Sequence, residues 1–347
     1  MNSNMPEANP KVSVVIPHLL GEETLSACLA SLRKSAFRDY EVLLVDNGST
    51  DNSVSMARER FPEVHVVSLK TNRGFAGGCN SGICEARGEY VFLLNDDAEV
   101  VPETLGRLVE AGDRDARIAA CQPKILNWTE RIRFDYAGGG GGLIDLLGYP
   151  FCLGRVFEHL EEDRGQYDLG REIFWASGAA SLFRCSALLE VGLLDEVFFA
   201  HMEEIDLCWR LHLAGYSVRA VPSAVVYHRG AATLGKGEYW KLYLNHRNNL
   251  VMLLKNLALP ALLWRFPVRL GLEGITLLRS LLVGEWDRVR AIVSASFYLL
   301  VHPVQILRMR VAAQKVRRVP DARVFAKMYR GLLPFEYFIR KRKAISG

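Results

Sequence analysis

The residues best equipped for chemistry in this chain are carboxylates at the ends of apolar runs. Tyr90 to Val100 reads YVFLLNDDAEV, five apolar residues followed by Asn95, Asp96 and Asp97. Five in a row are too few for a helix and suit a strand buried on both faces of a parallel sheet. Carboxylates at such a strand end lie where open α/β sheets bind ligands, in the crevice beyond the carboxyl ends. Asp97, with Asn95 two residues earlier on the same side, could grip a divalent cation through oxygen ligands. A polar turn leading to a helix start at Pro102-Glu103 accounts for the same residues. Asp46 ends EVLLV in the same way, beside Pro17 at the end of VSVVIP. Its carboxylate could accept the imide N–H of a uracil or thymine ring. It could equally cap the next helix through an Asx-turn in Asp46-Asn47-Gly48-Ser49.

A second acidic group follows Phe198-Phe199 and His201: Glu203, Glu204 and Asp206 open an amphipathic segment that Gly215 should stop. Acids in a first turn favour the helix dipole, and Asp206 with Arg210 makes an i,i+4 ion pair. Those effects explain Asp206 but not two glutamates behind a paired-Phe loop. Neighbours on a helix point about 100 degrees apart, so only one glutamate need face a cleft, where it could serve as a general base. His228, at a strand end before Arg229-Gly230, could complete a metal shell or simply cap the strand. The glycine-rich stretch Asn72 to Gly82 reads as a loop that lets backbone approach a ligand, with Arg73 available for a phosphate. It is not GxGxxG, which disfavours NAD and FAD.

The elements that must position these groups alternate. Strands are expected at Lys11–Pro17, Glu41–Val45, Val64–Leu69 and Tyr90–Leu94, with helices at Glu22–Ser35, from Thr50 or Asp51 towards Phe61, and ending at Ile83–Arg87. That rhythm means right-handed βαβ units and a parallel sheet. After a helix at Pro102–Asp113 and a strand at Ile118–Gln122 it loosens. Five glycines, Gly138 to Gly142, open about thirty irregular residues, a length of loop that is usually functional or mobile. Strand character returns at Phe174–Phe183 and at Tyr216–Tyr227.

The net charge of +4 hides an asymmetry: from His246 to Gly347 there are 19 Lys/Arg against 5 Asp/Glu, and the first 245 residues carry a net −10. A basic tail on an acidic body points to an anionic surface as partner. Beyond about Asn245 the chain becomes Leu- and Arg-rich helical segments broken at Pro260, Pro267, Pro303 and Pro334. Ala291 to Leu307, the longest uncharged run at 17 residues, is marginal for a membrane span. Interfacial amphipathic helices on anionic headgroups are the better expectation. Nucleic acid is disfavoured because the basic residues are interleaved with aliphatic stripes. The resulting division is a loose lead-in over residues 1–10, a main domain over 11–245 and a membrane-associating helical region over 246–347. The seven cysteines form no CxxC pair and read as reduced, packed thiols of a cytosolic protein. The polar start MNSNMPEANP is not a signal peptide.

Taken jointly, VSVVIP, VLLVDNGSTD, NRGFAGGCNSG, FLLNDDAEV, WASGAASLFR and FFAHMEEIDLCWRLHLAGY with VVYH resemble the glycosyltransferase family 2 enzymes of the GT-A fold, over roughly residues 12–249. The resemblance is most specific to the branch of rhamnosyltransferases and related cell-surface polysaccharide enzymes. It implies an α/β fold with a mostly parallel central sheet flanked by helices. It also implies an inverting, metal-dependent transfer from a nucleotide-sugar, dTDP-rhamnose or a UDP-sugar, to a lipid-linked saccharide at the cytoplasmic face of the membrane. By position, Asp46 would hold the base, and Pro17, Asn72, Arg73, Asn80, Asn95 and Asp96 would line the donor site. Asp97 and His228 would bind Mg²⁺ or Mn²⁺. Glu204, or Glu203, would be the base, and Trp175, Gly178, Trp209 and Arg210 would face the acceptor. Two other classes compete with this one. A nucleotidyltransferase would need a glycine-rich loop with a lysine after strand one, where this chain has Pro17-His18-Leu19-Leu20. A non-catalytic membrane scaffold with a degenerate site would bind partners yet release no nucleotide.

Overall fold

A computed structural model describes residues 9–230 and 238–345; the lead-in expected over residues 1–10 lies mostly outside them. The expected alternation is present. Strands β1 (Val12–His18), β2 (Tyr40–Asp46), β3 (His65–Ser68) and β4 (Tyr90–Leu94) run parallel in the spatial order β3-β2-β1-β4. Helices α1 (Glu22–Arg33), α2 (Ser53–Arg60) and α3 (Gly74–Glu85) connect them. Every residue of β4 is buried, which is why its sequence shows no alternation. Each of its large apolar side chains gains about 1.5–3 kcal/mol by leaving water.

The glycine-rich stretch corrects the sequence reading: most of it is helix, not loop. A Cβ on Gly82 would lie 2.4 Å from Val15 and 2.8 Å from Val45, and one on Gly78 would lie 3.3 Å from Pro17. The glycines therefore seat α3 directly on β1 and β2. Gly74, at φ +74°, begins the helix beneath Phe199.

Past β4 come β5 (Ala98–Val100), α4 (Thr104–Asp113) and a strand longer than expected, β6 (Ile118–Asn127). The region from Gly138 folds as a small antiparallel sheet of β7 (Gly142–Ile144), β8 (Pro150–Cys152), β9 (Arg155–Val156) and β10 (His159–Leu160). The glycine run is tied into the fold. Gly140 N–H donates to Leu153 O and Gly142 N–H to Trp175 O, and a Cβ on Gly142 would strike the Trp175 ring at 2.1 Å. Close backbone packing, not mobility, requires these glycines.

After β11 (Glu172–Ile173), strand β12 (Ala180–Arg184) inserts antiparallel between β4 and β6, and it begins later than the expected Phe174. Leu94 pairs with Ala180, so Ser177 to Ala179 arrive at the edge where β4 releases Asn95. Helices α5 (Cys185–Val191) and α6 (Glu203–Leu213) and strand β13 (Ser217–His228), parallel to β6, complete the sheet. Gly215 stops α6 with φ +94°. The seven cysteines are free thiols, five of them buried.

The C-terminal helices are α7 (Glu238–Asn256), α8 (Leu259–Val283), α9 (Trp286–Val301), α10 (Pro303–Lys315) and α11 (Asp321–Phe325). The boundary drawn at residue 246 falls inside α7, whose second half is buried. Helix α8 is inside out. Its buried face carries Arg265, Arg269, Glu273 and Ser280, while Leu263, Trp264, Ile275, Leu278 and Leu282 are exposed, Leu282 at 88%. A helix on a water-facing surface has the opposite pattern. The stripe continues through Val293, Phe297 and Leu300 of α9 and Val304 and Leu307 of α10. Among the described residues no single helix is long and apolar enough to cross a membrane; α9 and α10, bent by 79°, pass only as a broken pair.

Candidate active site

The site is built where β1, β2 and β4 end together. In register, His18 of β1 lies beside Asp46 of β2, and β4 delivers Asn95-Asp96-Asp97 on the other side of β1. The carboxylate of Asp46 accepts from the N–H groups of Gly48 (3.2 Å) and Ser49 (2.8 Å), the Asx-turn that its sequence allowed. Asn47 ties this turn to α3: its amide donates to Gly74 O and its Oδ1 accepts from Arg73 N–H. Asn72 caps the same corner, accepting from Gly74 N–H at 2.8 Å. Pro17 lies against Gly78.

The two aspartates of the β4 end have different partners. Asp96 is buried and its Oδ2 lies 2.5 Å from His18 Nδ1, while His18 Nε2 meets Ser53 Oγ at 2.7 Å. Burial raises the Asp96 carboxyl above its ordinary range, and His18 partly offsets that. Asp97 Oδ1 sits 3.1 Å from His228 Nε2, and His228 Nδ1 meets Asp135 at 2.9 Å. Asn95 Nδ2 approaches the same His228 Nε2 at 3.1 Å. Burial would lower the His228 imidazole, but Asp135 and Asp97 outweigh it and raise it to about 10. Sequence reading missed Asp135, which orients the imidazole from the opposite side to Asp97.

Asp97 and His228 are thus joined in space although 131 positions apart. Their donors, one carboxylate and one imidazole backed by a second carboxylate, suit Mg²⁺ or Mn²⁺. No group of three or more His, Cys, Asp and Glu among the described residues is arranged to hold an ion. A site of this kind takes its remaining ligands from substrate phosphates and water.

Glu203 and Glu204 open α6 behind an unusual turn in which Phe199 (φ +65°), His201 (φ +67°) and Met202 (φ +72°) are all left-handed. The Oε2 atoms of both glutamates are buried without a hydrogen-bond partner among the described residues. Burial, then the charge of Glu204, pushes Glu203 well above the usual carboxylate range. Burial raises Glu204 to about 7, against the pull of its own N–H and that of Ile205 at the helix start. A carboxylate balanced near neutrality, with an unused oxygen, is equipped to accept a proton. Burial, reinforced by Lys241, lowers neighbouring His201 to about 4 and keeps it neutral.

Several residues assigned from sequence serve the scaffold instead. Trp209 is 1% exposed and stands edge-on to Phe174 in the core. Arg210 is buried, paired with Asp206 at 2.9 Å, and donates to the carbonyls of Val191, Gly192 and Leu193. Neither faces an acceptor, because α6 is buried on nearly all sides. Trp175 is buried with its Nε1 donating to Leu143 O, and Gly178 abuts Phe75. Asn80 spends its amide on Leu194 and Glu196, and Arg73 pairs with Glu196 at 2.7 Å on the surface. The missed counterparts lie on α7. Lys255 and Asn256 complete a buried cluster on Asp206, and Arg247 with Asn248 grips the turn before Glu203. The signal was the polar string His246 to Asn249 interrupting a leucine-rich helix.

Comparison with known proteins agrees with this geometry. The model of the family described as glycosyl transferase family 2 matches residues 13–192. The N-acetylglucosaminyl-diphospho-decaprenol L-rhamnosyltransferase of Mycobacterium tuberculosis is 31% identical over 279 residues, 74% of this chain and 87% of that protein. The poly-beta-1,6-N-acetyl-D-glucosamine synthase of Staphylococcus epidermidis is 27% identical, over 61% of this chain and 48% of its own length. Among solved structures, GalNAc-T7 with UDP, GalNAc and Mn²⁺ superposes with a TM-score of 0.56 at 19% identity, covering 71% of this chain and 48% of that one. The mannosyltransferase PcManGT from Pyrobaculum calidifontis, in complex with GDP-Man and Mn²⁺, covers 90% of this chain and 86% of its own at a TM-score of 0.50 and 17% identity. These structures share the GT-A fold. The chain belongs to glycosyl transferase family 2, as a rhamnosyltransferase-like glycosyltransferase.

Proposed function

We propose that the chain transfers a sugar, with inversion, from a nucleotide-sugar to a hydroxyl of a lipid-linked saccharide during cell-surface polysaccharide synthesis. The donor is dTDP-rhamnose or a UDP-sugar. The observation that carries the reading is Glu204: a carboxylate raised to about 7, with a buried, unpartnered oxygen, opening α6 directly behind the 198–202 turn. Glu204 Oε2 takes the proton of the acceptor hydroxyl as its oxygen attacks the anomeric carbon. The bond to the donor's diphosphate oxygen breaks on the opposite face, and the nucleoside diphosphate leaves. One displacement with one base inverts the centre. Glu203, more fully buried and raised well above the usual carboxylate range, favours its neutral form beside the base.

Asp46 and Pro17 face the base end of the donor, and Asn95 and Asp96 its sugar and diphosphate. Asp97 and His228 would hold Mg²⁺ or Mn²⁺, with Asp135 orienting the imidazole; the ion's chemistry there is neutralisation of diphosphate charge. Lipid linkage is supported by the 31% identity to an N-acetylglucosaminyl-diphospho-decaprenol L-rhamnosyltransferase. It is supported also by the inside-out helix α8, which suits peripheral attachment to an anionic, cytoplasmic membrane face. The test is release of nucleoside diphosphate from dTDP-rhamnose and UDP-sugars on adding polyprenyl-diphosphate saccharides. Acceptor-dependent release that Glu204→Gln abolishes is expected. A protein that binds nucleotide and vesicles but releases nothing would be the scaffold instead.

A further inference from the structure

The turn that presents the glutamates does not hold itself. Phe199, His201 and Met202 are all left-handed without being glycine, a conformation that persists only where surroundings over-determine it. Three carbonyls of this turn, Phe198 O (3.0 Å), Ala200 O (2.9 Å) and His201 O (2.7 Å), converge on one atom, Nδ2 of Asn248. Asn248 is 1% exposed, and its Oδ1 accepts from Arg247 Nε at 2.8 Å, which fixes which way the amide faces. Arg247 Nη2 donates to Val197 O (2.7 Å) and Phe198 O (3.0 Å). On its other side the turn reaches the donor corner, with Phe199 O accepting from Ala76 N–H at 3.2 Å.

We propose that Asn248, locked by Arg247, is a positioning residue for transfer: it holds the 198–202 turn in the left-handed form that aims Glu204 into the crevice. This rests on Glu204 being the base. The clamp comes from α7, a helix the sequence reading divided between two domains, so the helical region takes part in forming the site. An amide is required because only an NH₂ group can meet several carbonyls while its oxygen receives the arginine. Aspartate has the same shape and would turn a carboxylate towards three carbonyls.

The experiment compares wild type, Asn248→Ala, Asn248→Asp and Arg247→Lys by hydrogen exchange over residues 197–204, calorimetric binding of UDP and dTDP, and the pH profile of transfer. Asn248→Ala and Asn248→Asp are expected to lose exchange protection in the turn and about 100-fold in kcat, the effect of a small misplacement of the reacting group. Nucleotide binding stays unchanged, and the acidic limb moves from about 7 towards the ordinary carboxylate range as water reaches Glu204. Arg247→Lys, which frees the amide without removing it, falls between. A purely structural role would lower the folded fraction and leave the limb where it was. That result, or wild-type protection of the turn in Asn248→Ala, overturns the proposal. If wild type transfers nothing, the functional reading falls while the exchange data still decide the clamp.

Discussion

Replacing Glu204 by Gln keeps the side chain's shape and removes its basicity, so it isolates the proton transfer. With Glu204 raised to about 7, about a tenth is ionised at pH 6 and about nine-tenths at pH 8. The wild-type rate should therefore climb about tenfold between those pH values, with the direction set by the base form growing as pH rises. Losing the base removes about 10²–10⁴-fold, or about 3–5 kcal/mol of transition-state stabilisation. The acidic limb disappears with it. Glu203→Gln should be far milder, since burial and the charge of Glu204 already push the Glu203 carboxyl towards its neutral form. The assay is initial-rate release of nucleoside diphosphate from pH 5.5 to 9 at saturating donor. A Glu204→Gln enzyme within tenfold of wild type, or an inactive Glu203→Gln beside an active Glu204→Gln, would refute the assignment.

Three further outcomes follow from the same geometry. Asp206→Ala leaves Arg210 buried without a carboxylate and Lys255 with Asp195 alone, and should destabilise the fold by about 3–5 kcal/mol in urea unfolding. Because Lys255 and Arg210 outweigh burial and lower Asp206, its contribution is complete above the unfolded carboxyl range and is lost as pH falls through the lower folded value. Gly82→Ala drives a methyl against Val15 and Val45 and should cost about 1–3 kcal/mol in the same assay, without changing acceptor preference. Trp264→Glu with Leu282→Glu should reduce sedimentation with anionic vesicles, and salt should weaken what remains; equal sedimentation of variant and wild type would exclude α8 as the lipid face.

The first half of the fold was legible because buried parallel strands write themselves as unbroken apolar runs, and each ends at a polar residue now found at the crevice. The placement of Asp46 and His228 at strand ends, of Asp97 just past one, and of Glu204 at a helix start was legible for the same reason. What misled was residue type without context. Glycine signals a loop when alone, but in α3 it marks where a helix presses on a sheet, and at Gly138–Gly142 it admits an indole and a neighbouring strand. Trp209 and Arg210 look like ligand contacts, yet an arginine beside a buried aspartate is taken by that charge and by the free carbonyls at the end of α5. Asp135 left no local trace, because its partner lies 93 positions away, and the polar string around Asn248 gave no hint of a turn about 50 positions earlier.

Calorimetric titration with dTDP, UDP and GDP, with and without Mn²⁺, tests the central claim most directly, because donor and metal are proposed to meet at Asp97. One nucleotide should bind tightly only with the ion, and Asp97→Ala should abolish that binding while thermal unfolding shows the protein folded. Binding indifferent to Mn²⁺ and to Asp97→Ala, or no binding of any of the three, would contradict the account.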